Sequence, residues 1–316
     1  MRILFWGTSS FAVPSLRALI GEGFDVVGVV TQPDRPVGRS RSRLVAPPVK
    51  EIAATEGVPV LQPERPRGEP FVREITALDP EISVVVSYGH ILTEEIIALP
   101  PRGTINVHAS LLPKLRGASP IRAAIRDGFL ETGVTVMRMV PALDAGPIVL
   151  QARTPVAEDE TFGELELRLS ELGALALVEA LTLLELGQAS EREQDDAAAT
   201  YAGKIAREMA RIDWREGCGV VARHIRAYDP HPGAFTTLHG AELKLFGAMA
   251  TDAAGDEGAH VAGEILALDD GGMLVATGDG AVRVTDVQPA GKRRIAVAAW
   301  ARGRGGSVGD RFGTER

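Results

Sequence analysis

The chain has almost no cysteine, few aromatic residues and no long apolar run. Its single cysteine, Cys218, excludes a disulfide framework and any metal or iron–sulfur site that needs several thiolates. No segment reaches the roughly 18 consecutive apolar residues of a membrane-spanning helix. The N-terminus, which begins Met1-Arg2-Ile3, lacks the three regions of a signal peptide. We therefore expect a cytoplasmic protein.

Several catalytic motifs are also missing. There is no G-x-x-x-x-G-K-[ST] phosphate loop and no G-x-S-x-G elbow. Gly7 follows the first predicted strand, but the further glycines of a dinucleotide fingerprint do not follow it. His224, His231 and His239 do not have the spacing of metal ligands. These absences argue against P-loop, serine-hydrolase and zinc chemistry.

The composition is that of an ordinary globular protein, with 45% apolar and 24% charged residues among 316. At about 150 residues per domain, this length suggests two domains. The net charge is −8, yet basic residues are concentrated in two places. Segment 34–50 has five basic residues against one acidic residue, and segment 291–316 has seven against two. Such segregation can mark the binding surface for a polyanion, although a solvated loop and a frayed tail would have the same composition.

The first half alternates strand and helix patterns. Residues 81–87 are continuously apolar at their centre, as a buried parallel strand should be. Repeated strand–helix units predict an α/β domain, a Rossmann-like parallel sheet with helices on both faces. The other predicted strands cover 3–6, 25–31, 57–61, 104–108, 134–140 and 148–151.

The second half has a different pattern of predicted helices and strands. A long helical pattern over 161–186 ends at Gly187, and a polar, alanine-rich stretch follows it. A helix over 215–227 precedes five short β-type runs, which suit a small barrel of the OB type. We predict a catalytic domain over 1–188, a linker over 189–205 and an OB-like domain over 206–316. The glycine-rich stretch 303–306 is expected to be disordered.

The most informative stretch is Asn106-x-His108, at the end of a predicted strand. Side chains at i and i+2 of a strand point to the same side, so these two project together. Asp144 follows the next predicted strand and could reach the same carboxyl edge, where α/β proteins bind ligands. An amide for an oxyanion, an imidazole for protons and a carboxylate to hold the imidazole suit acyl transfer. A core histidine and a helix-capping aspartate fit the same spacing, so the residues alone leave both interpretations open.

These residues are part of a longer pattern that resembles the 10-formyltetrahydrofolate-dependent formyltransferases. Near the three polar residues, the motifs are Ser110-Leu111-Leu112-Pro113, Arg116-Gly117-Ala118 and Leu143-Asp144-x-Gly146. Members that use methionyl-tRNA share the motifs Trp6-Gly7-Thr8, Phe11-Ala12-Val13-Pro14, Thr31-Gln32-Pro33-Asp34-Arg35-Pro36, Tyr88-Gly89, Tyr201-Ala202-x-Lys204, Arg211-Ile212-Asp213-Trp214 and Gln288-Pro289-Ala290-Gly291-Lys292. The resemblance covers about residues 1–292. Ala109, Leu115 and Pro147 depart from the commonest pattern and affect only the expected pocket wall and loop.

The resemblance implies a reaction in which the α-amine of methionine on initiator tRNA attacks the formyl carbon of 10-formyltetrahydrofolate. It implies that Asn106 and protonated His108 stabilise the oxyanion, and that His108 helps to pass a proton to N10 of the leaving folate. Asp144 would hold His108. The substrate amine is the nucleophile, so neither a nucleophilic side chain nor a metal is needed. How the protons are divided among these groups is left open.

The resemblance also implies where the substrates bind. Ser110, Leu111, Leu112 and Pro113 are expected to shape the folate site, with backbone near 88–92 and 139–144 against the pterin. Arg39, Arg41 and Arg43 are expected to contact the tRNA. The alternative for these arginines is a solvated charged surface.

Other functions suit the same polar residues. They are formylation of an amino sugar nucleotide, hydrolysis of the formyl folate by water, and a non-catalytic module that binds tRNA or folate. The arginine-rich segment and the second domain favour a tRNA acceptor. We therefore expect a monomeric enzyme of translation initiation that binds initiator methionyl-tRNA and the folate co-substrate, with no membrane partner.

Overall fold

The computed structural model describes residues 1–37, 43–251, 260–303 and 305–313. Strands and helices alternate over the first 185 residues. The strands are β1 (Arg2–Gly7), β2 (Asp25–Val30), β3 (Arg35–Val37), β4 (Arg43–Val45), β5 (Val60–Leu61), β6 (Ile82–Val86), β7 (Thr104–His108), β8 (Glu131–Arg138) and β9 (Ile148–Pro155). The helices are α1 (Val13–Gly21), α2 (Pro48–Thr55), α3 (Glu69–Ala77), α4 (Glu94–Ala98), α5 (Pro120–Arg126) and α6 (Phe162–Glu185).

Seven of these strands form one sheet in the order β5-β2-β1-β6-β7-β8-β9. The first five of that order are parallel, which confirms the predicted parallel sheet. β8 and β9 add two antiparallel strands at one edge. Their antiparallel pairing has a physical cause, because the loop 139–147 between them has no helix and a parallel crossover needs about a dozen residues or more.

The core beside this sheet is built around Trp6 of β1. Its ring makes edge-to-face contacts with Phe71 and Tyr88, with centroids 6.0 and 5.3 Å apart. Its indole N–H donates to Ser83 Oγ at 3.1 Å, so the one polar atom of the ring is paired in the core. Burying a large apolar side chain contributes about 1.5–3 kcal/mol, and each edge-to-face pair about 0.5–1.5 kcal/mol more. This packing fixes β1 and β6, whose carboxyl ends border the site.

The chain divides into two compact units that are not continuous in sequence. The first comprises Met1–Pro120, Glu131–Pro155 and Glu166–Ala202, and the second comprises Ile121–Leu130, Val156–Leu165 and Gly203–Arg316. Residues 189–202, which the sequence analysis placed in a linker, lie in the first unit. Two short segments from the predicted catalytic domain lie in the second unit. Sequence composition gives no sign of such exchanges, since they depend on tertiary contacts.

The second unit contains an antiparallel sheet. Its elements are α7 (Cys218–Ala227), β10 (Ala234–Leu238), β11 (Ala241–Thr251), β12 (Ile265–Asp269), β13 (Gly272–Ala276), β14 (Ala281–Pro289), β15 (Ile295–Ala296) and α8 (Val297–Arg302). The strands lie in the order β10-β11-β14-β13-β12, and β15 pairs with β14. The five strands predicted from the sequence are all present, and β15 is an additional short one.

Two described residues in or after the glycine-rich stretch, Gly305 and Phe312, make contacts that the sequence did not predict. Gly305 donates its backbone N–H to the Trp300 carbonyl at 3.0 Å. Phe312 is buried, and its ring stacks on Trp214 with centroids 5.4 Å apart. The glycine-rich composition suggested disorder, but Phe312, which follows this stretch, is buried against Trp214. The expectation of disorder over 303–306 was therefore wrong for the described residues of that stretch.

Candidate active site

The strand order reverses between β1 and β6, and the carboxyl ends of β1, β6 and β7 meet at this crevice. Ligands of open α/β sheets bind in such crevices. His108 is the last residue of β7 and is buried, and Asn106 lies two residues before it and is half-buried. The two side chains project from the same face because their spacing is two. This placement agrees with the sequence prediction for both residues.

Asp144 reaches His108 by a different route from the one expected. β8 is antiparallel to β7, so its last residue, Arg138, pairs with Ile105 near the start of β7. The following loop must run back along the sheet by about three residues, or about 10 Å, to reach His108. It does so, and Asp144 Oδ2 lies 3.7 Å from His108 Nδ1. The carboxylate therefore reaches the carboxyl end of β7 through the returning loop and not from the carboxyl end of β8.

The conformation of this loop depends on its neighbours. Asp144 has a positive φ of 48°, which is uncommon for a residue other than glycine. Its carboxylate accepts the backbone N–H of Gly117 at 2.7 Å. Gly146 is required by a close approach, since a Cβ there would lie 1.9 Å from the carbonyl oxygen of Arg138. The Leu143-Asp144-x-Gly146 motif therefore combines a carboxylate that faces His108 with a backbone position that admits only glycine.

The other side of the imidazole is also held. His108 Nε2 lies 2.9 Å from the carbonyl oxygen of Leu115. A carbonyl oxygen only accepts hydrogen bonds, so Nε2 carries the hydrogen in this contact and Nδ1 is the nitrogen that can gain or lose a proton. Leu115 itself has a positive φ of 58°, and its N–H donates to Thr200 Oγ1 at 2.9 Å. The ring is thus oriented by backbone on one side and faces a carboxylate on the other.

The turn over Ser110–Pro113 begins two residues after His108. Ser110 and Leu112 are buried, and the Ser110 hydroxyl donates to the Lys114 carbonyl at 2.6 Å. Leu111 and Pro113 are half-buried. The polar groups of the turn are therefore engaged within the protein, and what it presents to a ligand is its shape.

Two residues that the sequence analysis missed hold this turn. Thr135 pairs with His108 across β7 and β8, and Gln151 pairs with Thr135 across β8 and β9. The Thr135 hydroxyl donates to the Ser110 carbonyl at 2.7 Å and accepts the Leu112 N–H at 3.1 Å. Gln151 Nε2 donates to the Leu112 carbonyl at 2.9 Å. Only the strand register, which the sequence does not reveal, places these side chains beside the turn.

Arg116 is a buried cation close to the site. Its guanidinium donates to Gln194 Oε1 and to Asp196 Oδ1, the latter at 2.7 Å. Burial opposes the charge, but hydrogen bonds with Asp196 and Tyr201 raise the pKa of Arg116 above its usual value. The sequence analysis quoted Arg116 and Tyr201 only as parts of motifs, and it missed Gln194.

The backbone near 88–92, expected to border the pterin, starts at a well-anchored residue. The Tyr88 carbonyl accepts hydrogen bonds from Thr8 Oγ1 at 2.8 Å and Gln32 Nε2 at 3.0 Å. The Tyr88 hydroxyl is buried without a partner among the described residues, and this burial raises its pKa. These bonds join the ends of β1, β2 and β6 at the crevice.

The arginine-rich segment begins at an anchored aspartate. Lys50 Nζ lies 2.8 and 2.9 Å from the two carboxylate oxygens of Asp34, and Gln62 Nε2 donates to one of them at 2.8 Å. These hydrogen bonds, with that of Gln62 the larger contribution, lower the pKa of Asp34. Arg39 and Arg41, predicted to bind tRNA, lie outside the described residues, as does the side chain of Arg43.

Within the described ranges, no group of three or more His, Cys, Asp or Glu side chains is placed to hold a metal ion. None of the helices in those ranges is long and apolar enough to cross a membrane.

Comparison with known proteins identifies the family. A model described as formyl transferase matches residues 1–181, and one described as formyl transferase, C-terminal domain, matches residues 204–305. The chain is 44% identical over 303 residues to methionyl-tRNA formyltransferase of Moorella thermoacetica, covering 96% of each chain. It is 45% identical over 295 residues to methionyl-tRNA formyltransferase of Thermotoga neapolitana, covering 93% of each.

A solved structure has the same fold. HypX from Aquifex aeolicus, in complex with tetrahydrofolic acid, aligns with a TM-score of 0.67 and 21% identity. The alignment covers 100% of this chain and 51% of that one, so this chain spans about half the length of HypX. With two family models over most of its length and relatives at this level of identity, the chain belongs to the formyl transferase family.

Proposed function

We propose that this protein transfers the formyl group of 10-formyltetrahydrofolate to the α-amine of methionine on initiator methionyl-tRNA, for use in translation initiation. The observation that carries the reaction type is the imidazole of His108, held by the Leu115 carbonyl and facing Asp144, beside the amide of Asn106. The near full-length similarity to methionyl-tRNA formyltransferases supports the choice of acceptor.

The proposed step forms one carbon–nitrogen bond and breaks another. The methionine amine attacks the formyl carbon, and the bond between that carbon and N10 of the folate breaks. One proton passes from the amine to N10. Charge develops on the formyl oxygen during the attack, so donors fixed beforehand near that oxygen lower the barrier. No oxidant or reductant is needed, because the formyl group keeps its oxidation state.

Asn106 and protonated His108 are proposed to stabilise the charge on the formyl oxygen, and His108 is proposed to help move the proton to N10. With Nε2 engaged by Leu115, the cationic ring carries its second hydrogen on Nδ1, the nitrogen that faces Asp144. The gap of 3.7 Å between Nδ1 and Oδ2 is longer than a hydrogen bond, and one water or substrate atom would bridge it. Asp144 is proposed to hold such a bridging group beside His108. The Asn106 amide supplies a donor from the same face of β7.

The folate is proposed to lie against the Ser110–Pro113 turn. Buried hydrogen bonds from Thr135 and Gln151 fix the backbone of that turn beside His108. A rigid turn next to the proton-transferring group suits a co-substrate whose N10 must come within reach of it. Backbone near 139–144, which carries Asp144, would complete this side of the site.

The tRNA is proposed to contact Arg39, Arg41 and Arg43, and residues 206–316 are proposed as a tRNA-binding domain after the catalytic domain of 1–188 and the linker of 189–205. Their support is the clustering of basic residues in the sequence.

Because the acceptor belongs to protein synthesis, we place the reaction in the cytoplasm. We propose that the protein acts as a monomer, which sedimentation at working concentration tests.

The test of the proposal is a comparison of acceptors. The full-length protein is mixed with 10-formyltetrahydrofolate and one of three acceptors: initiator methionyl-tRNA, an amino sugar nucleotide, or water alone. We expect rapid formylation of methionyl-tRNA, with no formyl sugar and only slow release of formate. Preferential formylation of the sugar, or formate release as fast as with tRNA, would overturn the proposed acceptor. Binding of tRNA and folate without turnover would support the non-catalytic module instead.

A further inference from the structure

Residues 191–202 are held along the first unit by backbone pairing at both ends. Arg192 forms a two-way bridge with Ile148, with N–H to carbonyl distances of 2.9 and 2.7 Å. Arg116 bridges Tyr201 and exchanges hydrogen bonds with Thr200 and Ala202, both at 2.8 Å. Ile148 begins β9 just after the Asp144 loop, and Arg116 lies just after the Leu115 carbonyl. The segment therefore passes both backbone groups that surround His108.

Gln194 is the point at which this segment grips the Asp144 loop. Its side-chain N–H group donates to the carbonyl oxygens of Asp144 and Gly146, each at 2.8 Å. Its side-chain oxygen accepts from the Arg116 guanidinium at 3.1 and 2.8 Å. The guanidinium only donates and the two carbonyls only accept, so the amide can satisfy all four contacts in one orientation. Arg116 thus fixes which way Gln194 points.

The hydrogen bonds from Gln194 reach the loop at its residue with a positive φ. Asp144 has a positive φ, and such a conformation persists only where surrounding contacts hold it. Gln194 donates to the backbone carbonyl of Asp144, and the N–H of Gly117 donates to its carboxylate. The backbone and the side chain of Asp144 are therefore held by separate partners. Without the hydrogen bond from Gln194, the Asp144 carbonyl loses this partner, and the hydrogen bond from Gly117 to the carboxylate is left to position the residue.

We propose that Gln194 is a positioning residue for formyl transfer, and that it holds the Asp144 carboxylate in place against His108. The inference rests on the proposed roles of His108 and Asp144. Gln194 touches neither His108 nor the reacting atoms in this assignment, and it acts through Asp144. Misplacing a catalytic group by about 1 Å can lower the rate by up to about 10²-fold, even when the substituted residue lies away from the reacting atoms.

Two substitutions separate the positioning role from a structural one. Gln194→Met keeps the length of the side chain but loses every hydrogen bond. Gln194→Glu still accepts from Arg116 but cannot donate to the Asp144 and Gly146 carbonyls. We expect both to lower kcat by about 10-fold with KM for 10-formyltetrahydrofolate within about 2-fold, since the lost placement matters in the transition state. Because Gln194→Glu keeps its contact with Arg116, its Tm should fall less than that of Gln194→Met. Gln188→Met, at an exposed position nearby, is the matched control and should be neutral.

The decisive measurement is a double-mutant cycle with Asp144→Asn, followed in single turnovers with excess enzyme. If Gln194 acts through Asp144, Gln194→Met should lower the rate by less than about 2-fold in the Asp144→Asn background, because interacting residues are non-additive. An equal loss in both backgrounds would overturn the proposal, as would wild-type kcat in Gln194→Glu. Wild-type kcat in Asp144→Asn alone would instead overturn the role of Asp144, and the inference about Gln194 with it.

Discussion

Nδ1 of His108 faces Oδ2 of Asp144 across 3.7 Å, while Nε2 of the same ring lies 2.9 Å from the Leu115 carbonyl. The two contacts differ in kind. The Leu115 carbonyl accepts a hydrogen bond from Nε2 and so fixes the orientation of the ring. The Asp144 carboxylate lies beyond hydrogen-bond distance of Nδ1, so the gap between them has room for one bridging water or substrate atom.

Removing either donor from β7 should slow the reaction. His108→Ala and Asn106→Ala are each expected to lower kcat by about 10²-fold or more, in line with the loss of a proton-transfer or oxyanion group. KM for 10-formyltetrahydrofolate should change far less, because the lost interactions matter mostly in the transition state. Steady-state formylation of methionyl-tRNA measures both constants.

The control for this pair is His231→Ala, which removes an exposed histidine outside the proposed site. Circular dichroism of each variant checks that the fold is kept. A well-folded His108→Ala protein with near-normal kcat would show that the proposed mechanism is wrong.

The sequence predicted where Asn106 and His108 lie on their strand, but it did not predict the path by which the chain brings Asp144 to them. The i, i+2 spacing placed Asn106 and His108 on one face of a strand, and the structure has them there. Asp144 does lie beside His108 at the carboxyl end of β7, as expected, but β8 runs antiparallel and the loop after it has to turn back to reach this end. Strand direction depends on pairing between distant segments, and hydrophobic patterns do not record it.

The hydrogen-bonding residues around the site could not be found from patterns. Gln194 lies in a polar, alanine-rich stretch typical of a linker, yet its side chain makes hydrogen bonds with Arg116, Asp144 and Gly146. Thr135 lies in a β-branched run where threonine is ordinary, and only its register opposite His108 gives it a role. For both residues, the signal lies in tertiary contacts rather than in composition or period.

The hydroxyl of Thr135 should stabilise both the protein and its folate site. Thr135→Val keeps the shape of the side chain but leaves the buried carbonyl of Ser110 and the N–H of Leu112 without this partner. Unpaired buried groups of this kind cost about 1–3 kcal/mol of unfolding free energy. We also expect KM for 10-formyltetrahydrofolate to rise more than kcat falls. Urea unfolding and folate-dependent kinetics are the measurements.

Thr132→Val is the matched control for that variant. Thr132 lies on the same strand and is equally buried, but its hydroxyl is outside the network that holds the Ser110–Pro113 turn. It should leave KM for the folate unchanged. If both variants raise KM equally, the turn does not shape the folate site.

The second unit should lose stability in mildly acidic solution because of His224. Burial lowers the pKa of its imidazole and Arg126 acts in the same direction, while backbone hydrogen bonds of Ala210 and Arg211 partly oppose them. As the pH falls through about 6.5, the unfolded chain takes up a proton that the folded chain still refuses. Unfolding is then favoured, so the contribution of this group is present above that pH and is lost as the pH falls toward the lowered folded-state pKa.

His224→Gln should therefore flatten the pH dependence of the urea midpoint between about pH 7.5 and 5.5, the range in which an unperturbed histidine titrates. His231→Gln, at an exposed position, controls for the loss of one imidazole. The same pH dependence in His224→Gln and the wild type would exclude His224 as the cause.

The arginine-rich segment yields a prediction that rests on sequence alone. Arg39, Arg41 and Arg43 alternate in the chain, and an extended backbone would send all three to one side, which suits tracking along phosphates. With about three phosphates contacted, log affinity for tRNA should fall with log salt at a slope of about −2 to −3. That slope corresponds to a loss of roughly 16- to 64-fold between 50 and 200 mM salt.

Replacing all three arginines with alanine should flatten that slope and raise KM for methionyl-tRNA, because the counterions released on binding are those of the contacted phosphates. KM for 10-formyltetrahydrofolate should stay nearly unchanged, since the folate is proposed to bind at the Ser110–Pro113 turn instead. Filter binding across a salt series and formylation kinetics with each substrate varied in turn measure these quantities. If the triple variant kept the wild-type salt slope and KM for tRNA, the segment would be an ordinary solvated surface, and an acceptor smaller than tRNA would become the better choice.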